Sequence, residues 1–524
     1  VKRRGFLKTS LVLGGAATAP AGLAAGVMAG DGCGSTGSEE RLFAGYARLG
    51  RIRPKSSDQI AESYWGIQAG AFDEKTLSMA RAIGVKWTRI IIGWDSVERE
   101  KGRFDWSGHD ATLDALLRYG ITPFVTLTRG NALYTGVGRY DDPRLAAIYG
   151  DSPAAPLTAA GRSAWLRFVS GAVERYRDRI RYWEVWNEPN HRNYWGAPPN
   201  GKDYGDLVRV TVGKIRSLYP GAKIIAGSMA GISPDFTDQF LGRCDPQQID
   251  IISFHNYGSR PENRAYRIPE FKRVLDRYKP GFEIWQGECG VASQSRTTGY
   301  RGMGPWGPGI QAKWLLRQSF VDTWFCHATL SNYFKLFDEG DPDPAPTERT
   351  LSGLDRYFGA PERNGSRVHA KGINQKCLLH AHEGTPKPAY YAYQNLCAVM
   401  DARYRRIDPE FRFRVRTSGS FHGIGEHEDA FPSVPLLASY RSNEAAFLAW
   451  WLPWFPQETI AEFATISLHV NTGFREPVLL DLLSGGVYAI RGFDPAADKS
   501  GFARLPLADY PLAIAERGQV ALKS

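Results

Sequence analysis

The chain has 524 residues, a formal net charge of +10 and 23% charged residues. The basic excess is spread along the chain without a basic run or an aromatic-basic ladder, which excludes a nucleic-acid partner. Six cysteines, at 33, 244, 289, 326, 377 and 397, include no CxxC pair, so the common metal-site spacings are absent.

At the N-terminus, Lys2-Arg3-Arg4-Gly5-Phe6-Leu7-Lys8 forms a twin-arginine pattern, followed by an Ala/Gly-rich stretch from Leu11 to Gly30. Gly14, Gly15 and Pro20 interrupt that stretch and make it poor material for a membrane-spanning helix. Residues 1–29 therefore read as a twin-arginine signal peptide, cleaved after Val27-Met28-Ala29. Cys33 offers lipid anchoring as the alternative, but Gly30-Asp31-Gly32 lacks the apolar and small residues of a lipobox. No other segment has the ~20 uninterrupted apolar residues of a transmembrane helix. The expectation is a folded, exported monomer in the periplasm or beyond. Its charge is about +6, because residues 1–29 hold four basic residues and no acidic ones.

A Gly/Ser-rich linker and N-terminal segment occupy 30–59. Apolar strand-like runs then follow at 63–67, 87–92, 122–127, 180–186, 223–226, 249–254, 282–286 and 330–336. They alternate with helical patterns such as 74–83, 110–119, 159–177 and 204–219. Eight such alternations over 60–398 predict an α/β fold, a (β/α)8 TIM barrel. An open doubly wound sheet is the alternative, and no Gly-x-Gly-x-x-Gly follows the first strand to support a nucleotide site. The polar, Pro- and Gly-rich stretch 338–371 is too long for a connector and is expected to fold over the barrel mouth. Near residue 400 the helical period stops. Short runs at 445–451, 465–470, 477–480 and 487–490, separated by turns such as Ser484-Gly485-Gly486, predict a C-terminal antiparallel β-sandwich domain over 399–524.

Two strings one hundred residues apart carry the chemistry: Trp183-Glu184-Val185-Trp186-Asn187-Glu188-Pro189-Asn190 and Glu283-Ile284-Trp285-Gln286-Gly287-Glu288-Cys289-Gly290. Each is a β-branched and aromatic run ending in a carboxylate beside a chain-breaking residue. A barrel strand delivers a side chain to the C-terminal rim in this way. Two carboxylates so delivered suit glycosidic cleavage, one protonating the departing oxygen while the other attacks or activates water. Glu188 is the expected acid/base and Glu288 the expected nucleophile, with Asn187 placed to donate to a neighbouring sugar hydroxyl.

Asn187-Glu188-Pro189 on the fourth strand and Glu288 on the seventh resemble the acid/base and nucleophile of clan A glycoside hydrolases. The segments Gly84-Val85-Lys86-Trp87-Thr88-Arg89 and Thr385-Pro386-Lys387-Pro388-Ala389-Tyr390 resemble their second-strand region and their helix entry after the eighth strand. The layout is similar to family 39-type members or a related cellulase-like family. Gln286-Gly287-Glu288-Cys289 departs from many relatives, which place Thr or Ser before the nucleophile and Trp after it. The resemblance implies a retaining O-glycosyl hydrolase acting on a β-linked polysaccharide or oligosaccharide, with Arg89 hydrogen-bonding the nucleophile. A cation there would keep Glu288 ionised while Glu188 stays protonated.

His255 and Tyr257 end the sixth strand two residues apart and so share a face. Tyr257 is placed to donate to the nucleophile and His255 to contact sugar hydroxyls. Trp94 and Trp306 are candidate sugar-stacking rings in loops at strand ends. No cofactor is expected, and no metal, since the His–Tyr pair has no carboxylate or Cys partner at suitable spacing. Gly130-Asn131, Gly136-Val137-Gly138 and Gly302-Met303-Gly304-Pro305-Trp306 are expected to wall an open cleft. The rival readings are an inactive exported carbohydrate-binding protein and an adhesion protein whose sandwich carries the function.

Overall fold

The computed structural model describes residues 42–136, 153–258, 260–293, 307–337, 376–380, 384–416, 434–454, 456–458, 464–490, 493 and 500–523. These fall into two compact units. One is Pro54–Arg403, and the other joins the segment before it, ending at Arg53, to the segment from Tyr404 onward. The signal region, Cys33, Trp306 and the stretch 338–371 lie outside the described residues.

Strands are numbered along the chain, and β1 (Arg48–Ile52) precedes the barrel. The barrel strands are β2 (Trp65–Gln68), β3 (Trp87–Gly93), β4 (Thr122–Thr128), β5 (Tyr182–Val185), β6 (Lys223–Ala230), β7 (Ile251–His255), β8 (Glu283–Cys289) and β9 (Leu330–Phe334). They close in sequence order, each parallel to the next, with β9 returning to β2. Each apolar run expected from the sequence forms one of these strands. This is a (β/α)8 barrel.

Interior side chains recur every second residue along a strand. Phe124, Ile225, Ile251, Trp285 and Leu330, with Trp87 and Tyr182 against them, make an apolar plug. The Trp87 ring lies 5.0 Å from Tyr182 and 5.3 Å from Trp285. Burial of each such aliphatic or aromatic side chain is worth about 1.5–3 kcal/mol. Two residues further along four of these strands come Arg89, Thr126, Glu184 and Ser253, all buried. The interior therefore changes from apolar to polar toward the C-terminal rim, and the plug below can support costly polar groups above it.

The helices start where capping side chains stand. Asp73 accepts from the Thr76 amide at the head of Glu74–Ile83, and Thr158 from the Gly161 amide at the head of Ala159–Tyr176. Gly84 ends the first of these at a φ of 93°. A Cβ there would lie 2.6 Å from the Lys55 carbonyl, so only glycine fits.

The second unit is a β-sandwich. One sheet contains β10 (Arg405–Arg406), β12 (Leu436–Arg441), β13 (Ala446–Trp451), β18 (Leu512–Glu516), β15 (Pro477–Asp481), β16 (Gly486–Ala489), β1 and β19 (Leu522–Lys523), in that order. The other contains β11 (Phe411–Arg416), β14 (Ala464–Val470) and β17 (Ser500–Leu507). All pairings in both sheets are antiparallel. The 30–59 linker and N-terminal segment contains a sandwich strand, since β1 pairs with β16 and β19. Its burial is mostly exposed and its register shifts between Arg48 and Gly50, so Arg48–Ile52 carries no alternating pattern to betray it.

Candidate active site

β5 stops at Val185 because Trp186 and Glu188 take left-handed backbone angles, with φ of 68° and 46°. Such angles are uncommon for residues with a Cβ and persist where the surroundings enforce them. Here the Glu188 amide donates to the Ser228 carbonyl at 2.8 Å. Ser228 is itself displaced by an irregularity in β6, where Gly227 (φ 101°) and Ser228 (φ 45°) break the register with β7. A Cβ at Gly227 would meet the Ser253 carbonyl at 2.6 Å. The bulge re-aims Ser228 into the barrel.

One oxygen of Glu188, one oxygen of Glu288 and a ring nitrogen of His255 lie within 4.8 Å of one another. The Glu288 side chain is 16% exposed and that of Glu188 11%, while those of Arg89 and His255 are fully buried. The two carboxylates thus reach solvent, and the groups that control them lie beneath.

Glu288 is held at both oxygens. Arg89 Nη1 donates to Oε2 at 2.7 Å and the Tyr257 hydroxyl donates to Oε1 at 2.5 Å. Burial alone would raise its pKa, but His255, Arg89, the Tyr257 hydrogen bond and Lys376 outweigh it and hold the carboxyl below its ordinary value. Burial, then the Glu288 charge, push the Tyr257 hydroxyl well above its ordinary value, so it remains a donor.

Glu188 has a different setting. Its Oε1 lies 2.8 Å from His255 Nδ1, and His255 Nε2 lies 3.2 Å from Ser228 Oγ. Ser228 Oγ accepts from Arg89 Nη2 at 2.9 Å. Ser228 thus links the Arg89 guanidinium to one ring nitrogen of His255, and the other ring nitrogen reaches Glu188. Arg89 Nη2 also donates to Asn187 Oδ1 at 2.9 Å, which orients the amide with Nδ2 left for a ligand.

Two expectations change. His255 was expected to touch sugar hydroxyls, but its buried ring instead orients Glu188. Trp94 is not a stacking platform: it is fully buried, its indole N–H bonds Glu98 at 2.6 Å, and its ring stacks on Tyr134 at 5.4 Å. Glu98 also accepts from the Tyr134 hydroxyl and the Gly102 amide, so this group ties together the loops after β3 and β4. Of the loop residues expected to wall a cleft, Asn131 is buried and caps the short helix Ala132–Thr135.

No protein-family model matches the chain. Among solved structures it is similar to a family 39 glycoside hydrolase from Bacteroides cellulosilyticus WH2, with a TM-score of 0.59 and 16% identity over 89% of this chain and 83% of that one. It is likewise similar to a family 30 subfamily 8 xylanase from Clostridium acetobutylicum, with a TM-score of 0.54 and 14% identity over 90% and 97% of the two chains. The likeness to both is one of fold. In sequence, 101 residues are 33% identical to a β-xylosidase of Geobacillus stearothermophilus, covering 18% of this chain and 20% of that enzyme. A further 149-residue match is 25% identical to an aryl-phospho-β-D-glucosidase of Bacillus subtilis, covering 26% of this chain and 28% of that enzyme. The chain thus spans only about a fifth to a quarter of the length of these curated relatives.

Sequence spacing offered His255 no carboxylate partner, yet the fold brings it two. Glu188, His255 and Glu288 are a donor set that can hold a cation. Their surroundings suit acid/base chemistry better, because both Glu288 oxygens already accept hydrogen bonds and the Arg89 guanidinium, 2.7 Å from Oε2, would repel a cation.

Three important groups escaped the sequence reading. Glu184 accepts from Arg89 Nη2 and Thr126 Oγ1 at 2.6 Å and from Ser253 Oγ at 2.7 Å. Burial opposes its charge, but Arg89 and the other donors hold its pKa below the ordinary value. Its signal was available: an acid inside a strand buried on both faces must be paired. Ser228 depends on a bulge that no local pattern announces. Lys376, whose ammonium lies 5.1 Å from the Tyr257 ring centroid, follows the long stretch after β9, where no periodicity marks a position.

Proposed function

We propose that the barrel is a retaining glycosidase that cleaves β-linked poly- or oligosaccharides by double displacement. The observation that carries this reading is the close carboxylate pair, whose nearest oxygens lie within 4.8 Å. An inverting pair stands about 6.5–9.5 Å apart to admit a water. The unequal surroundings of the two carboxylates support the assignment of roles.

Glu288, kept ionised, attacks the anomeric carbon. The glycosidic C–O bond breaks as Glu188 gives its proton to the departing oxygen, leaving a glycosyl ester on Glu288. Glu188, now a carboxylate oriented by His255, takes a proton from water, which attacks the anomeric carbon and frees Glu288. Asn187 Nδ2 is available to a hydroxyl beside that carbon. The partial match to a β-xylosidase favours β-xylosides as first substrates, with β-glucosides next.

The test is covalent capture. Incubation with an activated 2-deoxy-2-fluoro-β-xyloside or β-glucoside should add one glycosyl mass to the peptide bearing Glu288. Turnover of the matching aryl glycoside without capture on that peptide would overturn the nucleophile assignment. Binding without turnover would favour the inactive carbohydrate-binding alternative.

Lys2-Arg3-Arg4 supports the further proposal of twin-arginine export to the periplasm or beyond. Replacing Arg3 and Arg4 with Lys should retain the protein in the cytoplasmic fraction. No helix among the described residues is long and apolar enough to cross a membrane. A monomer is a further proposal, and light scattering tests it.

A further inference from the structure

The outward face of the three-stranded sheet β11–β14–β17 has a composition that sheet formation does not require. On β11, Arg412 and Arg414 are exposed, and the intervening Phe411, Phe413 and Val415 alternate to the other side. The register places Arg412 opposite His469, Arg414 opposite Ser467 and Arg416 opposite Thr465. Ile466, Leu468 and Val470 of β14 are buried, so Thr465, Ser467 and His469 form the outer row. On the far side, β17 sets Gly501 opposite His469 and exposes Ala503 and Arg504. A Cβ at Gly501 would lie 3.1 Å from the His469 ring, so glycine leaves the ring room.

The result is a shallow trough along β14, floored by Thr465 and Ser467 and flanked by Arg412 and Arg414 on one side and Arg504 on the other. The flanking strands are roughly 9.5 Å apart, and the two β11 arginines repeat every ~6.7 Å. Among the described residues, none of the three arginines pairs with a carboxylate. Nor does their clustering reflect a basic domain. Residues 404–524 hold 12 Lys and Arg against 14 Asp and Glu, so the positive charge is concentrated here against an acidic balance.

We infer that this face binds an anionic polysaccharide, one whose carboxylates meet the guanidinium rows while its rings lie over the small side chains of β14. Guanidinium groups match carboxylates bidentately. A single-stranded nucleic acid would need stacking rings on the same face, and Phe411 and Phe413 turn away from it. A membrane surface would need large exposed apolar side chains beside the charges, and among the described residues this face exposes only Ala503. The choice of polysaccharide over other polyanions rests on the glycan reading of the barrel; the site itself does not.

The full-length chain carrying Glu288→Gln, so that no probe is consumed, is titrated with sodium alginate and with neutral dextran. Alginate binding that weakens strongly from about 20 to 200 mM NaCl is expected, with dextran unbound. The pair Arg412→Ala and Arg414→Ala should weaken alginate binding about tenfold, and Arg504→Ala, which leaves β11 untouched, about threefold. Melting curves check that each variant is folded. Equal binding of dextran, wild-type affinity in both variants, or tighter binding of oligo(dT) than of alginate at equal charge would each overturn the inference. So would variants that bind normally but aggregate, because edge arginines would then serve only to block strand pairing. Binding is read without turnover, so a failure of the nucleophile assignment would leave this result standing.

Discussion

Replacing Glu184 by Gln removes one charge at nearly constant shape from the centre of the site. Glu184 and Arg89 are both fully buried and 2.6 Å apart. Breaking a buried pair by removing one partner costs about 3–5 kcal/mol, because the other charge is left uncompensated. Arg89 retains Glu288 at 2.7 Å, which places the expected cost at the lower end, about 3 kcal/mol. For a unit of this size the melting temperature should fall by roughly 4 °C at pH 7. The pair's stabilisation exists above the unfolded carboxylate pKa and is lost as pH falls through the depressed folded value. The gap between wild type and variant should therefore narrow below about pH 4. Catalysis changes in a defined direction too. With Glu184 neutral, the guanidinium charge falls on Glu288 alone and depresses its pKa further. The acid limb of kcat/KM should move to lower pH by up to about one unit, and kcat should drop about tenfold as the nucleophile weakens. Melting scans and pH profiles on an aryl glycoside measure both effects. A variant that melts within about 1 °C of wild type, or an acid limb that moves to higher pH, would refute the view that Glu184 sets the charge on the nucleophile.

Glu288→Ala should abolish turnover of every substrate, whereas Glu188→Ala should lose about 10²–10⁴-fold on poor leaving groups and little on activated aryl glycosides. Identical responses of the two variants to leaving-group quality would show the roles misassigned. Tyr257→Phe removes the 2.5 Å donor to Glu288, so the nucleophile's pKa should rise and the acid limb should move to higher pH. A limb that stays put would mean that the hydroxyl contributes nothing to charge stabilisation. Burial pushes the Asp322 carboxyl up to about 8, against hydrogen bonds from Ser331 and Gln318. The wild type should lose stability as pH rises from the unfolded carboxylate range through about 8, and Asp322→Asn should flatten that slope in pH-dependent melting.

Much of this molecule is written in local pattern. Eight apolar runs at barrel spacing predicted eight strands, because a parallel strand buried on both faces must be apolar almost throughout. Glu188 and Glu288 were legible because each breaks such a run beside a turn-forming residue. Residues that depend on closure of the sheet were not. Arg89, Thr126, Glu184 and Ser253 become one hydrogen-bonded layer only when four strands separated by up to 164 positions are set side by side in register. Ser228 enters it through a bulge, and His255 meets Glu188 rather than a sugar because that bulge and the left-handed turn at Glu188 bring them together. Trp94 shows the converse error: its position after a strand suggested the rim, but its indole N–H and both faces are taken by Glu98, Tyr134 and Phe168. Period and composition reveal which residues must leave water. Which polar groups meet there is decided by register and backbone angle, and these exist only in the folded chain.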